Sequence, residues 1–239
     1  IDYNNELRAF PMTLEDAFRD ELTSTLFNIE KLNEQEDHNN IYDIRSKLVK
    51  GNFQWKDNEI DTKVIWVPSE KGRFLIGWIP PEDMQNKWEL RRNAFGGISK
   101  HPMNDDVGAF GADTYDIDSV QDSVLEDTEN GSEHSKGSKG AFVGLTGNTI
   151  KDAPSNYTFL LYLTRPQTAE IFFEDFLMAC VFYGMPAAIE SNKARMLLHF
   201  RNRGYRGFVL NRFDKSMSKL SQPERDLGGI PSSGEDVIR

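Results

Sequence analysis

The sequence contains a single cysteine, Cys180, among its 239 residues. An intrachain disulfide framework and a cysteine-rich zinc site are therefore excluded, and we expect a reducing compartment. Long hydrophobic runs are also lacking. The longest, from Ile171 to Ile189, is interrupted by two acids and by Gly184, which makes it too broken to span a bilayer. No basic leader followed by an apolar stretch opens the chain, so we expect no signal peptide.

The composition is sufficient for a folded domain. Hydrophobic residues make up 38% of the chain and aromatic residues 11%, so a core can form and a disordered chain is excluded. The length suits one large domain, or one domain with a substantial appendage. Because the chain begins at Ile1 rather than Met, we expect a fragment or a trimmed product.

Positive charge is in the minority and is unevenly placed. There are 28 Lys and Arg residues against 38 Asp and Glu, and the net charge of −10 argues against a protein that simply coats nucleic acid. Residues 104–133 hold ten acids and no Lys or Arg, whereas residues 193–219 hold eight bases and one acid, Asp214. The two stretches are either solvated faces, or a metal-gathering and a polyanion-binding region such as a metal-dependent nuclease needs.

The first 104 residues are predicted to form an appendage made of a helix and a β-hairpin. Apolar residues at helical spacing, with Thr13 as N-cap, indicate a helix over Leu7–Leu32. The polar stretch Asn33–Asn40 is predicted to be a loop. Residues Gly51–Pro81 are predicted to form strands, with β-rich runs at Lys63–Val67 and Arg73–Ile79 joined by a turn at residues 69–72. Residues 82–104 have no assigned structure and serve as a connector.

Residues 105–239 are predicted to form the main domain. The pattern indicates five strands and two helices, namely strands Val107–Thr114, Ala141–Thr146, Tyr157–Leu163, Ala187–Glu190 and Tyr205–Leu210, and helices Thr168–Tyr183 and Lys193–Arg203. Gly184 is the expected C-cap of the first helix. Val120–Gly140 is expected to be a long loop. The order β-β-β-α-β-α-β predicts an α/β fold, a mixed sheet with helices packed on its faces.

Two carboxylates stand at the ends of predicted strands. Asp113 ends the first strand of the main domain, where small residues leave room for a close approach. Glu190 ends an apolar strand, where a buried carboxylate is costly unless it is paired or bound to a metal. Each has an ordinary alternative, since Asp113 also suits the start of a turn and Glu190 a solvated strand end. Taken together, they suggest two walls of one Mg²⁺ or Mn²⁺ site.

Other candidate motifs carry no chemistry. Residues 131–140 do not fit a nucleotide phosphate loop, and no helix follows them. The histidines share no ligand spacing, so we expect no zinc site. Asp116 and Asp118 are interpreted as loop acids, with outer-shell metal ligands as the alternative. Cys180 and three phenylalanines of the same helix, Phe172, Phe173 and Phe176, are predicted to be core residues.

Four segments carry a family resemblance: Arg8–Phe18 with Leu26–Asn28, Phe110–Asp113, Ala188–Asn192 with Arg203–Tyr205, and Gly229–Arg239. In order and spacing they resemble the C-terminal nuclease part of the large subunit of a tailed-phage DNA-packaging terminase, and the resemblance covers most of the chain. The first is similar to the Tyr/Phe-Pro-x-Thr-x-Glu-(Glu/Asp)-Ala-Phe junction between motor and nuclease. The next two are similar to the two acidic metal motifs, and the last to a Gly-x-x-Thr-type segment.

The resemblance implies a ribonuclease-H-like fold and a two-metal Mg²⁺ or Mn²⁺ endonuclease, with Asp113 and Glu190 as catalytic metal ligands. Its substrate would be concatemeric viral double-stranded DNA, cut at the start and end of genome packaging in the cytoplasm of a bacterial host. The implied partners are an ATPase domain of the same polypeptide, a small terminase subunit and a portal protein, with no membrane. Candidates for phosphate contacts are Arg195, Arg201, Arg203, Arg206 and Arg212.

The sequence departs from the family pattern in three ways. The phosphate loop of the motor and its acidic partner are absent, as expected of an N-terminally truncated chain. The family's third metal-binding Asp belongs to a later element, and neither Glu235 nor Asp236 matches its context. The nuclease domain is therefore expected to be truncated at its C-terminus. The acidic stretch Ile117–Glu133 is longer than the expected turn and has no assigned role.

Two other functions fit the same residues. The chain would be a non-catalytic docking module of the packaging motor if the two acids were structural. It would be another ribonuclease-H-like enzyme, such as a resolvase or transposase, if the metal site served a different substrate. The Phe-Pro-x-Thr segment near Phe10 speaks against the last option, because it resembles a motor-nuclease junction.

Overall fold

The computed structural model describes residues 28–92, 97–114, 139–148, 152–191, 194–213 and 215–231. The chain divides into two compact units, residues 1–48 and residues 49–239. Most of the predicted helix over Leu7–Leu32 and almost all of the predicted loop over Val120–Gly140 lie outside the described residues.

The described part of the first unit is a helix followed by a short 3-10 turn. Helix α1 runs from Ile29 to Ile41, and the Asn28 side chain caps it by accepting a hydrogen bond from the Lys31 amide at 3.1 Å. The prediction of a loop over Asn33–Asn40 was therefore wrong. These residues are polar on every side, so they show no apolar periodicity, yet a polar helix can be supported by pairs such as Gln35 to Asn39 at 2.9 Å.

The second unit is built on a seven-stranded sheet. Its strands are β1 (Val49–Trp55), β2 (Val64–Pro68), β3 (Phe74–Ile76), β6 (Gly108–Asp113), β7 (Gly140–Thr146), β8 (Thr158–Thr164) and β9 (Ala187–Ile189). Strands β4 (Trp88–Arg92) and β5 (Ile98–Pro102) form a separate antiparallel pair. The order in the large sheet is β2-β1-β3-β8-β7-β6-β9, and the β6–β9 pairing is parallel whereas the others are antiparallel. The fold is thus mixed α/β, as predicted.

The predicted hairpin of the N-terminal region is replaced by a three-strand arrangement. Strand β1 lies between β2 and β3, so the two predicted strands exist but do not pair with each other. The turn between them is present, with the Gly72 amide donating to Ser69 O at 2.9 Å. A Cβ at position 72 would overlap the Gly51 backbone, so the turn passes close over β1. The predicted connector over residues 82–104 contains β4 and β5.

The sheet takes strands from both sides of the predicted domain boundary. Strands β1 to β3 precede residue 104 and the other four follow it, so the predicted division at 104/105 does not coincide with the division at 48/49. The last predicted strand, Tyr205–Leu210, was wrong, because residues 206–208 form a 3-10 turn. A Cβ on Gly207 would overlap the His101 ring, so the segment curls where it packs against β5.

One face of the sheet is covered by helix α2 (Ala169–Tyr183). The Thr168 hydroxyl caps its N-terminus by accepting from the Ile171 amide. Phe142 and Tyr162 stack at 4.3 Å on neighbouring strands, and Phe176 packs against Phe142 at 4.7 Å. The predicted core positions are confirmed, since Phe172, Phe173, Phe176 and Cys180 are all buried. Burial raises the pKa of the Cys180 thiol well above its usual value.

The opposite face of the sheet, called the open face here, carries exposed apolar side chains within the part of the chain that the structure describes. Leu161 is opposite Val143 and Leu75, so the three share a face, and the cross-strand pair of Leu163 and Ala141 continues it. Leu161 and Leu163 are exposed, as is Leu145 at the end of β7. Helices α3 (Ala194–Asn202) and α4 (Gln222–Leu227) complete the unit. Within the described ranges, no helix combines the length and apolar character needed to cross a membrane.

The end of α2 is fixed by a glycine and an asparagine. Gly184 has φ of 62°, which confirms the predicted C-cap. The buried Asn104 side chain donates to Met84 O at 2.8 Å and to Tyr183 O at 2.7 Å, so it closes off a carbonyl at the end of the helix. A Cβ at position 184 would lie 2.6 Å from Lys87 O. Both the backbone angle and the close approach therefore require glycine here.

The substitution Gly184→Ala should lower the free energy of unfolding by about 2 kcal/mol or more. A left-handed backbone angle costs a side-chain-bearing residue roughly 1–3 kcal/mol, and the contact with Lys87 adds to it. Gly111→Ala is the matched control, because its Cβ would meet no atom nearer than 4.0 Å, and it should change stability by less than about 1 kcal/mol. Urea unfolding measures both, and equal losses would contradict this account.

Candidate metal site

The two predicted metal ligands lie at the ends of neighbouring parallel strands. Asp113 is the last residue of β6, and Glu190 directly follows β9. The register pairs Gly111 with Ala188 and Ala112 with Ile189, so the next step of the ladder sets Asp113 beside Glu190. Side chains alternate between faces along a strand, which puts both carboxylates on the open face with Gly111 and Ala188. By extension of this register, the two acids that the sequence singled out lie at the ends of adjacent strands.

Glu190 is held in place by the segment that follows α4. Ile230 forms an isolated parallel bridge with Glu190. Its amide donates to Ile189 O at 2.8 Å, and its carbonyl accepts from the Ser191 amide at 2.9 Å. Gly229, with φ of 95°, makes this approach possible, because a Cβ there would lie 3.1 Å from the Ser191 Cβ. The segment that resembles a Gly-x-x-Thr motif therefore supports the second acid, although residues 232–239 lie outside the described part.

The donor chemistry of the pair suits a hard divalent cation. Asp113 is exposed and Glu190 is half-buried, so both residues lie at the edge of solvent. Mg²⁺ typically uses one or two carboxylates and keeps several waters, so two protein ligands fit it. Across the residues that the structure describes, no group of three or more His, Cys, Asp or Glu side chains could hold a metal ion. Asp116 and Asp118 lie outside those residues.

The sheet face next to the two acids leaves space for another molecule. Gly111 and Ala188 form one cross-strand row, and Ala141 is opposite Asp113 in the next. A Cβ built on Gly111 would meet only the Val143 side chain, at 4.0 Å. Among the described residues, therefore, small side chains keep the surface next to the two carboxylates low.

Two of the five arginine candidates are paired with exposed or half-exposed acids. The Arg195 guanidinium lies 2.7 Å from Glu170, and both side chains are more than half exposed. Arg212 lies 3.3 Å from Glu224, the residue that closes the capping box of α4. Exposed pairs of this kind are worth little to stability. Their positive charge is nevertheless offset locally, which weakens both as sites for a phosphate.

Arg203 belongs to a half-buried charge network that sequence analysis missed. Its guanidinium donates to Asp61 at 2.7 Å and to Glu174 at 2.6 Å. Glu174 also accepts from Trp55 Nε1 at 2.6 Å and lies 3.0 Å from His199 Nε2. The network joins α2 to α3 and to β1. The only sequence signal was the interruption of an apolar helix by an acidic pair, which also fits a solvated position.

The neighbouring acid, Asp175, forms a second network on the face of the sheet that α2 covers. Its carboxylate is buried and accepts two hydrogen bonds from Arg73 at 2.6 and 2.7 Å and one from the Tyr162 hydroxyl at 2.9 Å. Burial raises the pKa of Asp175, whereas the bonds from Arg73 and Tyr162 oppose that rise. The two networks fix α2 against strands β1, β3 and β8.

The remaining two candidates are Arg206 and Arg201. Arg206 donates to Val209 O at 2.8 Å, to Arg225 O at 3.0 Å and to the Asn211 side chain, so it holds together the loop beside β9. Arg201 is exposed near the end of α3. The predicted set thus consists of three arginines that contact acids, Arg206 with uncharged acceptors, and the exposed Arg201.

The ionisation of Glu174 depends on its partners. Burial opposes the charged form, but the hydrogen bonds from His199, Trp55 and Arg203 outweigh it and hold the pKa of Glu174 at about 2, against 4.5 for a free side chain. Because the folded pKa is depressed, the stabilisation is complete above pH 4.5 and is lost as the pH falls toward 2.

The substitution Glu174→Gln should therefore destabilise the protein most at neutral pH. We expect a loss of about 3 kcal/mol at pH 7, since each pKa unit corresponds to about 1.4 kcal/mol, and the difference from wild type should shrink as the pH falls from 4.5 toward 2. Glu170→Gln, on the exposed side of the same helix, should change stability by less than about 0.5 kcal/mol at any pH. A pH-independent difference for Glu174→Gln would rule out this origin.

Comparison with known proteins gives no match, because no protein-family model, curated protein or solved structure is significantly similar to the chain. The functional argument therefore depends on the residues and their arrangement.

Proposed function

We propose that this protein is a Mg²⁺- or Mn²⁺-dependent DNA endonuclease, of the type found in the terminase large subunit. The observation that carries the proposal is the placement of Asp113 and Glu190 at adjacent ends of two parallel strands, on an open sheet face. Ligand sites in open α/β sheets form at the carboxyl ends of strands. Two acids separated by a long stretch of chain are thereby brought to one place suited to a divalent cation.

The topology supports the ribonuclease-H-like part of the proposal. Strands β6, β7 and β8 follow one another as antiparallel neighbours, and α2 then carries the chain back to β9, parallel to β6. The element order derived from the sequence implies such a mixed sheet. Strands β1 to β3 extend it on the far side, next to β8.

In this proposal Asp113 and Glu190 hold the metal, and the rest of the chain presents DNA to them. A bound Mg²⁺ or Mn²⁺ would supply an activated water and charge stabilisation for phosphodiester hydrolysis. The low surface at Gly111 and Ala188 leaves the face open for the backbone of the substrate. A third carboxylate would come from an element that follows Gly229–Ile230 in the chain. The Gly229–Ile230 segment itself lies beside Glu190.

The biological setting follows from the family resemblance. The substrate would be concatemeric viral double-stranded DNA in the cytoplasm of a bacterial host. The partners would be an ATPase domain of the same polypeptide, a small terminase subunit and a portal protein. The ten acids between residues 104 and 133 repel DNA, which makes unaided binding of this chain to DNA unfavourable. Delivery of the substrate by a motor fits this charge distribution.

A docking module is the alternative that one observation favours. Leu145, Leu161 and Leu163 are exposed on the open face, and contiguous exposed apolar residues are typical of protein interaction surfaces. This alternative assigns the two acids a structural role and gives metal no effect. Metal dependence of stability and of DNA cleavage therefore separates the two functions.

Cleavage of plasmid DNA tests the proposal. We expect Mn²⁺-dependent nicking or cutting that falls at least a hundredfold in Asp113→Asn and in Glu190→Gln, because each removes a charged metal ligand. Asp83→Asn, an exposed acid far from the strand ends in sequence, is the control and should retain full activity. Cleavage that persists unchanged in both site variants would refute the assignment. The assay includes the intact subunit, so that the motor and later elements are present.

Thermal unfolding of this chain tests metal binding apart from cleavage. Mn²⁺ at a hundredfold excess over its dissociation constant should stabilise the folded state by about 2.7 kcal/mol, because it binds the folded state alone. The shift should disappear in Glu190→Ala and persist in Asp83→Asn. If the wild-type melting temperature does not respond to Mn²⁺ even in the longer subunit, the docking alternative is favoured.

A further inference from the structure

A cavity lies beside the C-terminal end of α3. Its volume is about 170 Å³, and it opens between β5, the end of α3 and helix α4. The lining includes three arginines and one acid: Arg201, Arg206, Arg225 and Asp226. Three fixed positive charges against one negative charge give the cavity a net positive charge, in a chain whose overall charge is −10.

The central arginine of this cavity is held rigidly and keeps its charge uncancelled by its contacts. Arg206 is half-buried, and it donates to Val209 O, to Arg225 O and to the Asn211 side-chain oxygen, all of which are uncharged acceptors. Burial lowers the pKa of Arg206, and Asp226 opposes that shift. A guanidinium remains protonated under these conditions, since its pKa begins above 12. The backbone thus fixes a cation at the wall of the cavity.

The positive field extends to the neighbouring β5. Burial lowers the pKa of His101, and the charges of Arg91 and Arg206 lower it further, while those of Glu89 and Asp105 oppose the shift. Its ring packs against the backbone at Gly207, where a Cβ would overlap it. The charge of Arg206, at the wall of the cavity, thus acts on an imidazole of the neighbouring strand β5.

We propose that this cavity, formed by Arg201, Arg206 and Arg225, binds a phosphate of the DNA backbone. The inference deepens the proposed nuclease function and rests on it for the identity of the substrate. Arginine is suited to phosphate because its planar guanidinium offers paired N–H donors. Arg195, Arg203 and Arg212 are not part of this contact, because each is engaged by a carboxylate.

The cavity holds the DNA backbone at a second point, apart from Asp113 and Glu190. This second contact sets the position of the duplex relative to the two acids. A phosphate contact fixes register without reading sequence, which suits an enzyme that acts on DNA of many sequences. Arg206 provides a rigid point, while the exposed Arg201 and the half-buried Arg225 close on the phosphate oxygens. The three residues are positioning residues in the reaction, and Asp113 and Glu190 remain the catalytic ones.

The test is the salt dependence of DNA binding in EDTA, where cleavage is absent. Fluorescence anisotropy with a duplex oligonucleotide gives the slope of log Kobs against log salt concentration. Each phosphate contact contributes about 0.9 to that slope, so Arg201→Gln and Arg225→Gln should each reduce it by about one and weaken binding. Arg195→Gln is the matched control, since it lies on the same helix and pairs with Glu170. It should leave the slope unchanged.

A pair of substitutions at Gly204 tests the same cavity without removing an arginine. Gly204 lines the cavity, has φ of 79°, and a Cβ there would meet nothing within 4 Å. Asn and Asp tolerate such a backbone angle, so Gly204→Asn and Gly204→Asp should both fold. We expect Gly204→Asp to weaken DNA binding at least fivefold more than Gly204→Asn, because only the former adds a negative charge. Equal affinities would count against the cavity.

The outcomes separate this inference from the nuclease proposal. Unchanged slopes in Arg201→Gln and Arg225→Gln, or an equal loss in Arg195→Gln, overturn the phosphate contact even if Mn²⁺-dependent cleavage is present. If Arg201→Gln and Arg225→Gln reduce the slope but the wild-type protein shows no metal-dependent cleavage, the phosphate contact is supported and the nuclease proposal is overturned. If inorganic phosphate raises the melting temperature but the wild-type chain does not bind duplex DNA, the cavity serves a small anion and the DNA assignment is wrong.

Discussion

The site depends on the crossover made by α2. This helix takes the chain from the end of β8 over the sheet and returns it as β9, parallel to β6. Only a parallel return sets two strand carboxyl ends side by side, because antiparallel neighbours place their carboxyl ends at opposite edges. The helix is almost wholly buried, so it cannot shift without exposing the aromatic core. Asp113 and Glu190 are far apart in the sequence, but the parallel return sets them at the ends of neighbouring strands.

The helix is fixed by polar contacts as well as by apolar ones. Glu174 and Asp175 are adjacent in sequence but serve different partners, the first on α3 and β1 and the second on β3 and β8. Removing one partner of such a network leaves a buried charge without compensation, which is far more costly than the network is worth in net stability. These acids therefore specify how α2 is oriented, whereas the phenylalanines provide the driving force for burial.

Sequence analysis predicted the part of the fold in which local signals are strong. Strands β6 to β9 and the capped helix α2 were recovered because apolar runs, Thr168 and Gly184 mark them clearly. It read residues 51–81 as strands but did not single out β1 or its place between β2 and β3, and it missed α1, whose polar residues show no periodicity. It identified both acids of the candidate site. It could not sort the arginines, because whether a guanidinium faces an acid or a cavity depends on tertiary packing, as Arg203 and Arg201 show.

The order of strands in the sheet has a consequence for how the protein folds during synthesis. Strand β3 pairs with β8, so Phe74 must find Tyr162, which emerges from the ribosome much later. Until then the first three strands have an unpaired edge and an uncovered aromatic face. Long-range pairing of this kind slows folding, and exposed strand edges promote association between nascent chains. The sheet that carries the candidate site therefore cannot be completed before β8 and β9 have been synthesised, and the first three strands stay open to association with other chains until then.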